Sequence, residues 1–548
     1  MMTLTPNRAS FLKAAGEPGV VRYILLFSIF NAVLFQWPLY RLASSTRTDF
    51  DFQTWLALST LFVFQLILSV TLLGLSSLLS IRLLKLSCAM FTVGNAVALY
   101  FIVQYNIVID ASMIGNIANT NVKEASELLH PKLFAYVLLL GVAPAVALMR
   151  IQVRRSSRLR RIGLVLAVLS LGSAWLYANA QSWLWIDKNA KQFGGLILPW
   201  SYVVNTVRYA QSEAERHRVT ERLPPITGRR PGGMIVVLVI GEAARAQNFS
   251  LFGYARDTNP LLKQDGVVTF PGAHSCATYT TASLRCMLSY KGANGMSAND
   301  EPLPSYLHRH GVEVIWRTNN FGEPFLKTDA YETADQIRKA CTAGCARLDY
   351  DEVLLHGLDA ELRGRDRDTK TLIVLHQGGS HGPQYAKKYP PEFERFKPTC
   401  HSVELQQCSH EALVNAYDNT IVYNDYFLHR LIGLLKTVSD RPSAMLYMSD
   451  HGESLGERGL YLHGLPKSVA PEVQSSVPLL AWMSDDFARR GGAMRSPDSF
   501  HEGLSHDVVF HSVMGALGLS SAIYAPENDL FRPTPTYLTT PVERKTHD

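Results

Sequence analysis

Five uncharged apolar stretches in the first 190 residues limit the possible folds of this 548-residue chain more than any other feature. A helix that spans a bilayer needs about 20 mostly apolar residues, and buried helices of soluble proteins are seldom so long and free of charge. Because each stretch approaches that length, we predict an α-helical membrane domain of five transmembrane helices. The predicted spans are 23–40, 53–81, 86–109, 133–149 and 162–186.

Basic residues between the predicted spans orient this domain. The segment 150–161 contains six arginines and no acidic residue, and Arg82 and Lys85 fall in the predicted tight turn between spans 2 and 3. Loops rich in Lys and Arg remain on the cytoplasmic side, so the chain after the fifth span lies across the membrane. The net charge of +6 is modest and much of it lies in this arginine segment, which disfavours nucleic-acid binding.

The seven cysteines are unevenly distributed. Cys88 lies in the third predicted span, and the other six lie in the soluble part as three sequence-close pairs. Six cysteines allow 15 connectivities, but close spacing favours neighbours as partners, and disulfides persist outside the reducing cytoplasm. Metal-binding thiols are the alternative, which the absence of a CxxC motif disfavours. We expect the pairs Cys276–Cys286, Cys341–Cys345 and Cys400–Cys408.

The composition changes twice after the last span. An aromatic segment of mixed polarity suits the membrane interface, and a polar stretch rich in Pro and Gly follows it. Short β-branched runs then alternate with helical stretches, which indicates an α/β domain with a mostly parallel sheet. We predict a transmembrane domain over 1–186, interfacial helices and a linker over 187–233, and a soluble domain over 234–548.

Acidic residues and histidines cluster where three predicted strands end. The strand MIVVLVIGE (234–242), the strand TLIVLHQ (371–377) and the segment SDHGESLGERGLYLHG (449–464) supply them. Ligands of open α/β sheets bind beyond the carboxyl ends of strands, although acids there can also cap the next helix. Mixed nitrogen and oxygen ligands suit zinc, so we predict a metal site. The candidates are Glu242, His376, His381, Asp450, His451, Glu453 and His463.

The segment CATYTTASLRC (276–286), which we call the cysteine loop, places five hydroxyl side chains between two cysteines. One interpretation is a disulfide-closed turn on an exported surface. The other is that one hydroxyl is a nucleophile held still by the bridge. A threonine hydroxyl is a weak nucleophile unless a base or a metal activates it, so the predicted metal site favours the second interpretation. The hydroxyls belong to Thr278, Tyr279, Thr280, Thr281 and Ser283.

Four segments together resemble the lipid A phosphoethanolamine transferases of the alkaline phosphatase/sulfatase superfamily, whose relatives include the mobile colistin-resistance enzymes. They are GEAARAQNFSLFGYARDTNP (241–260), SCATYTTASLRCMLS (275–289), LHQGGSHGP (375–383) and SDHGESLGERGLYLHG (449–464). The resemblance implies a multi-pass protein of the bacterial inner membrane with an alkaline-phosphatase-like periplasmic catalytic domain. It also implies transfer of phosphoethanolamine from phosphatidylethanolamine to a lipid A phosphate through a covalent threonine intermediate, and polymyxin resistance through lower surface charge.

The resemblance also implies roles for single residues. Thr280 matches the family's nucleophile and completes a zinc site. The chain departs from the family's usual residues at Ala243, Leu284 and Arg285, but none of these positions is a metal ligand. The zinc ligands carried over are Glu242, Thr280, Asp450 and His451. The groups for a second zinc or the substrate phosphate are His381 and His463. The lipid-headgroup contacts are Asn116, Thr120 and Glu124, whose i, i+4, i+8 spacing would also suit a solvated helix face.

Other functions stay open. The acceptor could be a Kdo, a heptose or another glycan, and a phosphoglycerol transferase would share the threonine nucleophile. A sulfatase is disfavoured because the chain has no C/S-x-P-x-R motif. A membrane-anchored sensor with a structural metal belongs to a different class, and loss of transfer on removing the Thr280 hydroxyl would exclude it.

Overall fold

A computed structural model of the chain describes residues 18–45, 52–119, 128–179, 182, 186, 193–216, 221–296, 299–342, 345, 347–364, 366–438, 441–500 and 503–532. The chain divides into two compact units. The first consists of Met1–Glu213 and Arg458–Tyr461, and the second consists of Ala214–Glu457 and Leu462–Asp548. The first unit contains the predicted spans, and the second contains the α/β domain.

Helices make up most of the described residues of the first unit. Four of them, α3 from Thr54 onward, α4, α6 and α7, are long and apolar enough to cross a membrane. The count is five if α1 and α2, which are bent by 50° relative to each other, form one broken span. The helices are α1 (Val20–Leu34), α2 (Trp37–Ser45), α3 (Phe52–Leu79), α4 (Ile81–Tyr105), α5 (Ala111–Asn119), α6 (Pro131–Arg150), α7 (Arg158–Ala178) and α8 (Trp200–Arg216).

The connection between α3 and α4 differs from the sequence prediction. Arg82 and Lys85 were expected in a turn, but both belong to the start of α4. The turn is only one residue long because Ser80 caps α4, its side chain accepting hydrogen bonds from the backbone of the first turn. Lys85 Nζ donates to the carbonyls of Met149 and Ile151, at 2.6 and 2.9 Å, and so satisfies the C-terminal end of α6.

Neutral polar side chains join several helices inside this unit. Asn95 on α4 donates to Asn31 Oδ1 on α1 at 2.6 Å, and Asn31 donates in turn to the Leu198 carbonyl at 3.2 Å. Tyr202 on α8 donates to Asn95 Oδ1 at 3.0 Å. Because apolar surroundings offer no competing water, such side chains must bond to one another, and they fix the approach to α8.

The second unit alternates strands with helices as the sequence predicted. Its strands are β1 (Ile226–Arg229), β2 (Met234–Gly241), β3 (Val268–Thr269), β4 (Glu313–Thr318), β5 (Ala330–Thr333), β6 (Lys370–His376), β7 (Ser443–Ser449), β8 (Ser454–Leu455), β9 (Tyr461–Leu462), β10 (Leu479–Met483) and β11 (Leu519–Ser521). Its helices are α9 (Pro260–Asp265), α10 (Thr280–Met287), α11 (Leu303–Arg309), α12 (Ala334–Ala340), α13 (Leu358–Arg363), α14 (His410–Thr437), α15 (Asp485–Arg489) and α16 (Asp507–Ala516).

Seven strands form the main sheet, in the order β3-β10-β7-β2-β6-β4-β5. The five strands from β7 to β5 are parallel, while β10 and β3 add an antiparallel edge. All residues of β2, β6 and β7 are buried, which explains their continuous apolar runs. Parallel strands end at one edge of the sheet, so the residues that follow β2, β6 and β7 gather there.

The predicted linker contains a strand. Residues Ile226–Arg229 form β1, which pairs antiparallel with β11 near the chain's C-terminal part. Sequence reasoning assigned these residues to a linker because the surrounding Pro, Gly and Arg residues hide a strand of only four residues. The pairing partner lies almost 300 residues away, so only the tertiary fold reveals it.

Candidate active site

Two neighbouring strands deliver the acidic residues of the site. In the parallel pair of β2 and β7, Gly241 lies opposite Ser449, so Glu242 and Asp450 follow at adjacent positions. His451 comes next, and its Nε2 lies 3.3 Å from Glu242 Oε1 and 3.3 Å from Asp450 Oδ2. All three side chains are buried. The sheet register therefore brings Glu242 next to Asp450 and His451, although Glu242 and Asp450 are 208 residues apart in sequence.

The cysteine loop brings a hydroxyl to this cluster. Thr280 is the first residue of α10, and its Oγ1 donates to Glu242 Oε2 at 3.1 Å and lies 3.4 Å from His451 Nε2. The N-terminal end of a helix favours negative charge, which suits a hydroxyl that must lose its proton. Among the five loop hydroxyls, the Thr280 oxygen is thus observed in contact with both the Glu242 carboxylate and the His451 imidazole.

Two carboxylate oxygens of the cluster have no hydrogen-bond donor. Glu242 Oε1 and Asp450 Oδ2 are buried and accept no hydrogen bond, and their ion-pair contacts are both with one imidazole nitrogen, His451 Nε2, at 3.3 Å. Buried carboxylate oxygens without partners are costly, and a cation among them would satisfy them. Two carboxylates, an imidazole and a hydroxyl form the mixed nitrogen and oxygen donor set that zinc binds. The residues therefore fit the predicted metal site.

The charges in this cluster are strongly coupled. Burial alone would raise the pKa of Glu242, but the neighbouring His451 outweighs burial and holds that pKa well below its usual range. Burial and the nearby charge of Glu242 both raise the pKa of Asp450. Burial would lower the pKa of His451, yet Asp450 and Glu242 raise it. The two carboxylates and the imidazole therefore set one another's pKa values within one buried pocket.

Hydrogen bonds from the backbone orient Asp450. Its Oδ1 accepts from the N–H groups of His451 and Ala243, at 2.7 and 3.1 Å. Ala243 has a left-handed backbone with φ of 53°, and its carbonyl accepts from Tyr417 at 2.7 Å. A non-glycine residue with positive φ is uncommon, and here it turns the chain after β2 so that Glu242 and Asp450 face one point.

Sequence reasoning missed Asn320. Its Nδ2 donates to Glu242 Oε2 at 2.7 Å and to the Gln377 carbonyl at 2.9 Å. Asn320 follows β4 within two residues, so it reaches the same edge of the sheet as the predicted ligands. The sequence signal was present in the strand-end position of the segment VEVIWRTNN, but an amide after a strand is too common to single out.

Two predicted histidines lie side by side next to the carboxylate cluster. The ring of His463 lies 4.2 Å from that of His451 and 5.0 Å from that of His381, between ring centres. His463 Nδ1 pairs with Glu453 Oε1 at 3.1 Å. Glu242, His451 and His463 each offer one possible ligand atom, and these three atoms lie within 4.8 Å of one another. These histidines therefore border the cluster of Glu242 and His451, where they could meet a phosphate or a second cation.

The remaining predicted histidine, His376, forms a buried pair with Glu323. Its Nδ1 lies 2.8 Å from Glu323 Oε1. Burial would lower the pKa of His376, but the hydrogen bond that it donates to Glu323 and the negative charges of Glu323, Asp450 and Glu242 raise that pKa. Glu323 thus favours the protonated form of His376 beside the cluster, an interaction that the position of His376 at the end of β6 did not reveal.

The loop after β6 is bonded to the backbone of Glu242. Ser380 donates its backbone N–H to the Glu242 carbonyl at 2.9 Å, while Asp351 accepts from the backbone N–H groups of Gly378 and Gly379, at 2.8 and 2.9 Å. Gly379 has φ of 45°, and a Cβ there would lie 2.6 Å from the Glu242 carbonyl oxygen. This close approach requires glycine and packs the loop that carries His381 against the metal-site strand.

Three disulfides occur in the soluble unit, as the sequence led us to expect. They are Cys276–Cys286, Cys341–Cys345 and Cys400–Cys408. The first closes the cysteine loop around Thr280, and Cys88 is a buried free thiol.

The predicted lipid-headgroup residues cannot be located in the same way. Asn116 belongs to α5, but its side chain lies outside the described structure. Thr120 and Glu124 lie outside the described residues altogether. Their assignment stays a prediction.

Comparisons with known proteins show the family of the chain. A family described as Sulfatase matches residues 235–519, and one described as Phosphoethanolamine transferase EptA/EptB matches residues 67–214. The chain is 37% identical over 514 residues to phosphoethanolamine transferase EptA of Helicobacter pylori, covering 93% of this chain and 96% of that protein. It is 35% identical over 426 residues to phosphatidylethanolamine transferase Mcr-1 of Escherichia coli, covering 73% and 78%.

A solved structure supports the fold over nearly the full length. The integral membrane protein lipooligosaccharide phosphoethanolamine transferase A (EptA) from Neisseria meningitidis superposes with a TM-score of 0.86 at 28% identity, covering 94% of this chain and 99% of that one. The fold and the site thus define a membrane-bound member of the alkaline phosphatase/sulfatase superfamily. Within it, the chain belongs to the phosphoethanolamine transferase family. It is an integral membrane protein with a periplasmic soluble domain.

Proposed function

We propose that this protein transfers phosphoethanolamine from phosphatidylethanolamine to a phosphate group of lipid A, through a covalent phosphoethanolamine ester of Thr280. The observation that carries the proposal is the contact of the Thr280 hydroxyl with Glu242 Oε2 at 3.1 Å, beside two buried carboxylate oxygens that lack donors. A nucleophile needs an acceptor for its proton and a cation for the charge that develops.

Zinc is the metal that the donor set suits, and Glu242, Asp450, His451 and the Thr280 oxygen would hold it. Bound there, Zn²⁺ would lower the pKa of the hydroxyl and offset negative charge on a phosphoryl oxygen. Asn320 fixes Glu242 through its amide, and the backbone of Ala243 fixes Asp450. These contacts hold the acceptor groups in place before substrate arrives, so little reorganisation is needed during the reaction.

In the first half-reaction, Thr280 Oγ1 attacks the phosphorus of phosphatidylethanolamine. The new bond joins Oγ1 to phosphorus, and the bond from phosphorus to the diacylglycerol oxygen breaks. Oγ1 gives up its proton, for which Glu242 Oε2 is the nearest acceptor observed. Diacylglycerol leaves with a proton, and the neighbouring pair of His381 and His463 is suited to deliver it and to bind the phosphate.

In the second half-reaction, a phosphate oxygen of lipid A attacks the same phosphorus. The bond to Oγ1 breaks, and Thr280 recovers its proton. Two successive displacements at one nucleophile predict ping-pong kinetics. Each transferred ethanolammonium offsets phosphate charge on the bacterial surface, so cationic peptides such as polymyxin bind less well.

The membrane unit supports the lipid side of the proposal. We further propose that the protein lies in the bacterial inner membrane with the catalytic domain in the periplasm, where the donor headgroup and lipid A are accessible. We assign the donor headgroup to the stripe of Asn116, Thr120 and Glu124. A sensor with a structural metal would need neither this stripe nor a hydroxyl in contact with the carboxylate cluster.

The nucleophile is tested with purified full-length protein and vesicles that contain phosphatidylethanolamine. Intact-protein mass spectrometry should detect a phosphoethanolamine adduct, and peptide mapping should assign it to Thr280. Thr280→Ala should abolish the adduct and the transfer. Thr281→Ala is the matched control because it removes the adjacent buried hydroxyl, and it should retain both. Full transfer by Thr280→Ala would refute the mechanism and favour the sensor.

The acceptor and the donor are tested in cells and vesicles. Lipid A from cells with and without the protein is compared by mass spectrometry, and fragmentation locates the added group on a lipid A phosphate, a Kdo or a heptose. Replacing phosphatidylethanolamine by phosphatidylglycerol in the vesicles tests phosphoglycerol transfer. Modification of a core sugar, or transfer from phosphatidylglycerol alone, would contradict the substrates proposed here.

A further inference from the structure

His506 is a buried histidine that the proposed chemistry does not use. It directly precedes α16 and has no exposed surface. The chain around it runs beside the start of the cysteine loop, where the His274 backbone N–H donates to the Leu504 carbonyl at 2.8 Å. His506 is therefore part of the wall behind the candidate active site.

Both ring nitrogens of His506 bond to the protein backbone. The N–H of Cys276 donates to Nδ1 at 3.3 Å, and Nε2 donates to the Ser449 carbonyl at 3.0 Å. Since Nδ1 must accept and Nε2 must carry the proton, the ring is a neutral imidazole of fixed tautomer. Burial lowers its pKa to about 3, in agreement with this state.

The two bonded residues belong to the two halves of the site. Cys276 opens the cysteine loop four residues before Thr280, and Ser449 ends β7 directly before Asp450 and His451. We propose that His506 is a positioning residue that ties the cysteine loop to the end of β7 and thereby holds Thr280 against the carboxylate cluster. This inference rests on the proposed role of Thr280 as the nucleophile.

A metal at His506 itself is not supported. Cys276, Cys286 and His506 lie close enough to share an ion, but the two sulfurs are bonded to each other. A disulfide offers no thiolate, and Nδ1 already accepts the Cys276 N–H. The geometry favours a tether between backbone segments.

His511 on α16, the helix that His506 precedes, provides a matched control. It is also buried, its Nδ1 accepts from the Ala525 N–H at 3.1 Å, and its Nε2 donates to the Tyr290 carbonyl at 3.2 Å. It therefore makes the same two kinds of bond, but neither partner adjoins a candidate ligand or Thr280. A purely structural role for His506 would make the two histidines equivalent.

The experiment compares His506→Ala, His506→Gln and His511→Ala in the full-length protein. Thermal unfolding, zinc content, steady-state kinetics and the rate of Thr280 adduct formation are measured for each. We expect His506→Ala to lose roughly 10²-fold in the rate of adduct formation, the effect of a nucleophile misplaced by about 1 Å. Its zinc content and its KM for phosphatidylethanolamine should remain near those of the parent. His506→Gln should recover most of the rate because its amide can accept and donate.

The control decides between positioning and general stability. His511→Ala should lose comparable thermal stability and keep its rate of adduct formation. The inference is overturned if both alanine variants lose the same rate of adduct formation, or if His506→Ala keeps the parent rate. It is also overturned if His506→Ala loses zinc together with the rate, or if His506→Gln does not recover the rate. If His506→Ala does not fold, His506→Met replaces it, since Met fills the space and makes neither bond. An active Thr280→Ala protein would instead refute the proposed function.

Discussion

Replacing Gly379 by alanine tests whether close packing against Glu242 is needed for the site. The added Cβ would lie 2.6 Å from the Glu242 carbonyl oxygen and 2.9 Å from both its N and its Cβ. These atoms are backbone or attached to it, so Glu242 or the loop after β6 must shift. Alanine also incurs the cost of a left-handed backbone, roughly 1–2 kcal/mol. The forced displacement adds roughly 1–3 kcal/mol.

Gly266→Ala is the control that separates the cost of displacing Glu242 from the cost of the left-handed backbone. Gly266 has φ of 68°, and a Cβ there would meet nothing within 4 Å. Both variants therefore carry the left-handed cost, and only Gly379→Ala displaces Glu242. We expect Gly379→Ala to have the lower midpoint of thermal unfolding, a reduced zinc content and roughly 10²-fold lower kcat if Glu242 moves by about 1 Å. Indistinguishable stability, zinc content and kcat in the two variants would refute the reasoning.

Three further results are expected. Asn320→Leu leaves Glu242 Oε2 without its amide donor, at a cost of roughly 1–3 kcal/mol, and an unchanged kcat would contradict this role. Replacing Cys276 and Cys286 by alanine should reduce transfer more than replacing Cys400 and Cys408 by alanine. Loss of either disulfide should lower the free energy of unfolding by about 2–4 kcal/mol. The third result concerns pH. The pKa of His506 is lowered from 6.5 to about 3 in the folded protein. Between these two pH values the unfolded chain binds a proton at His506 and the folded protein does not. Its contribution to stability is complete above pH 6.5 and is lost as pH falls, by about 2 kcal/mol at pH 5. His506→Gln should therefore lose less stability than the parent between about pH 7 and pH 5, and identical pH profiles would show that His506 titrates normally.

The sequence determined the architecture because its main signals are local. Apolar stretches long enough for a bilayer indicate membrane helices wherever they occur, and β-branched runs that end in an acid indicate buried parallel strands. The order of such strands places their ends at one edge of the sheet, which is why Glu242, Asp450 and His451 could be grouped in advance. The family resemblance selected Thr280 among five similar hydroxyls, a choice that composition and spacing left open.

Only the tertiary structure decided which groups support these residues. Asn320, Glu323 and His506 contact partners that are remote in sequence, and an Asn, a Glu or a His after a strand or before a helix carries no local signature. The short strand β1 is visible only through its pairing with β11. A hydrogen bond tolerates changes of only a few tenths of an ångström in the distance between its two atoms. When those atoms lie on remote chain segments, their distance is set by how the segments pack, so no local sequence pattern encodes it.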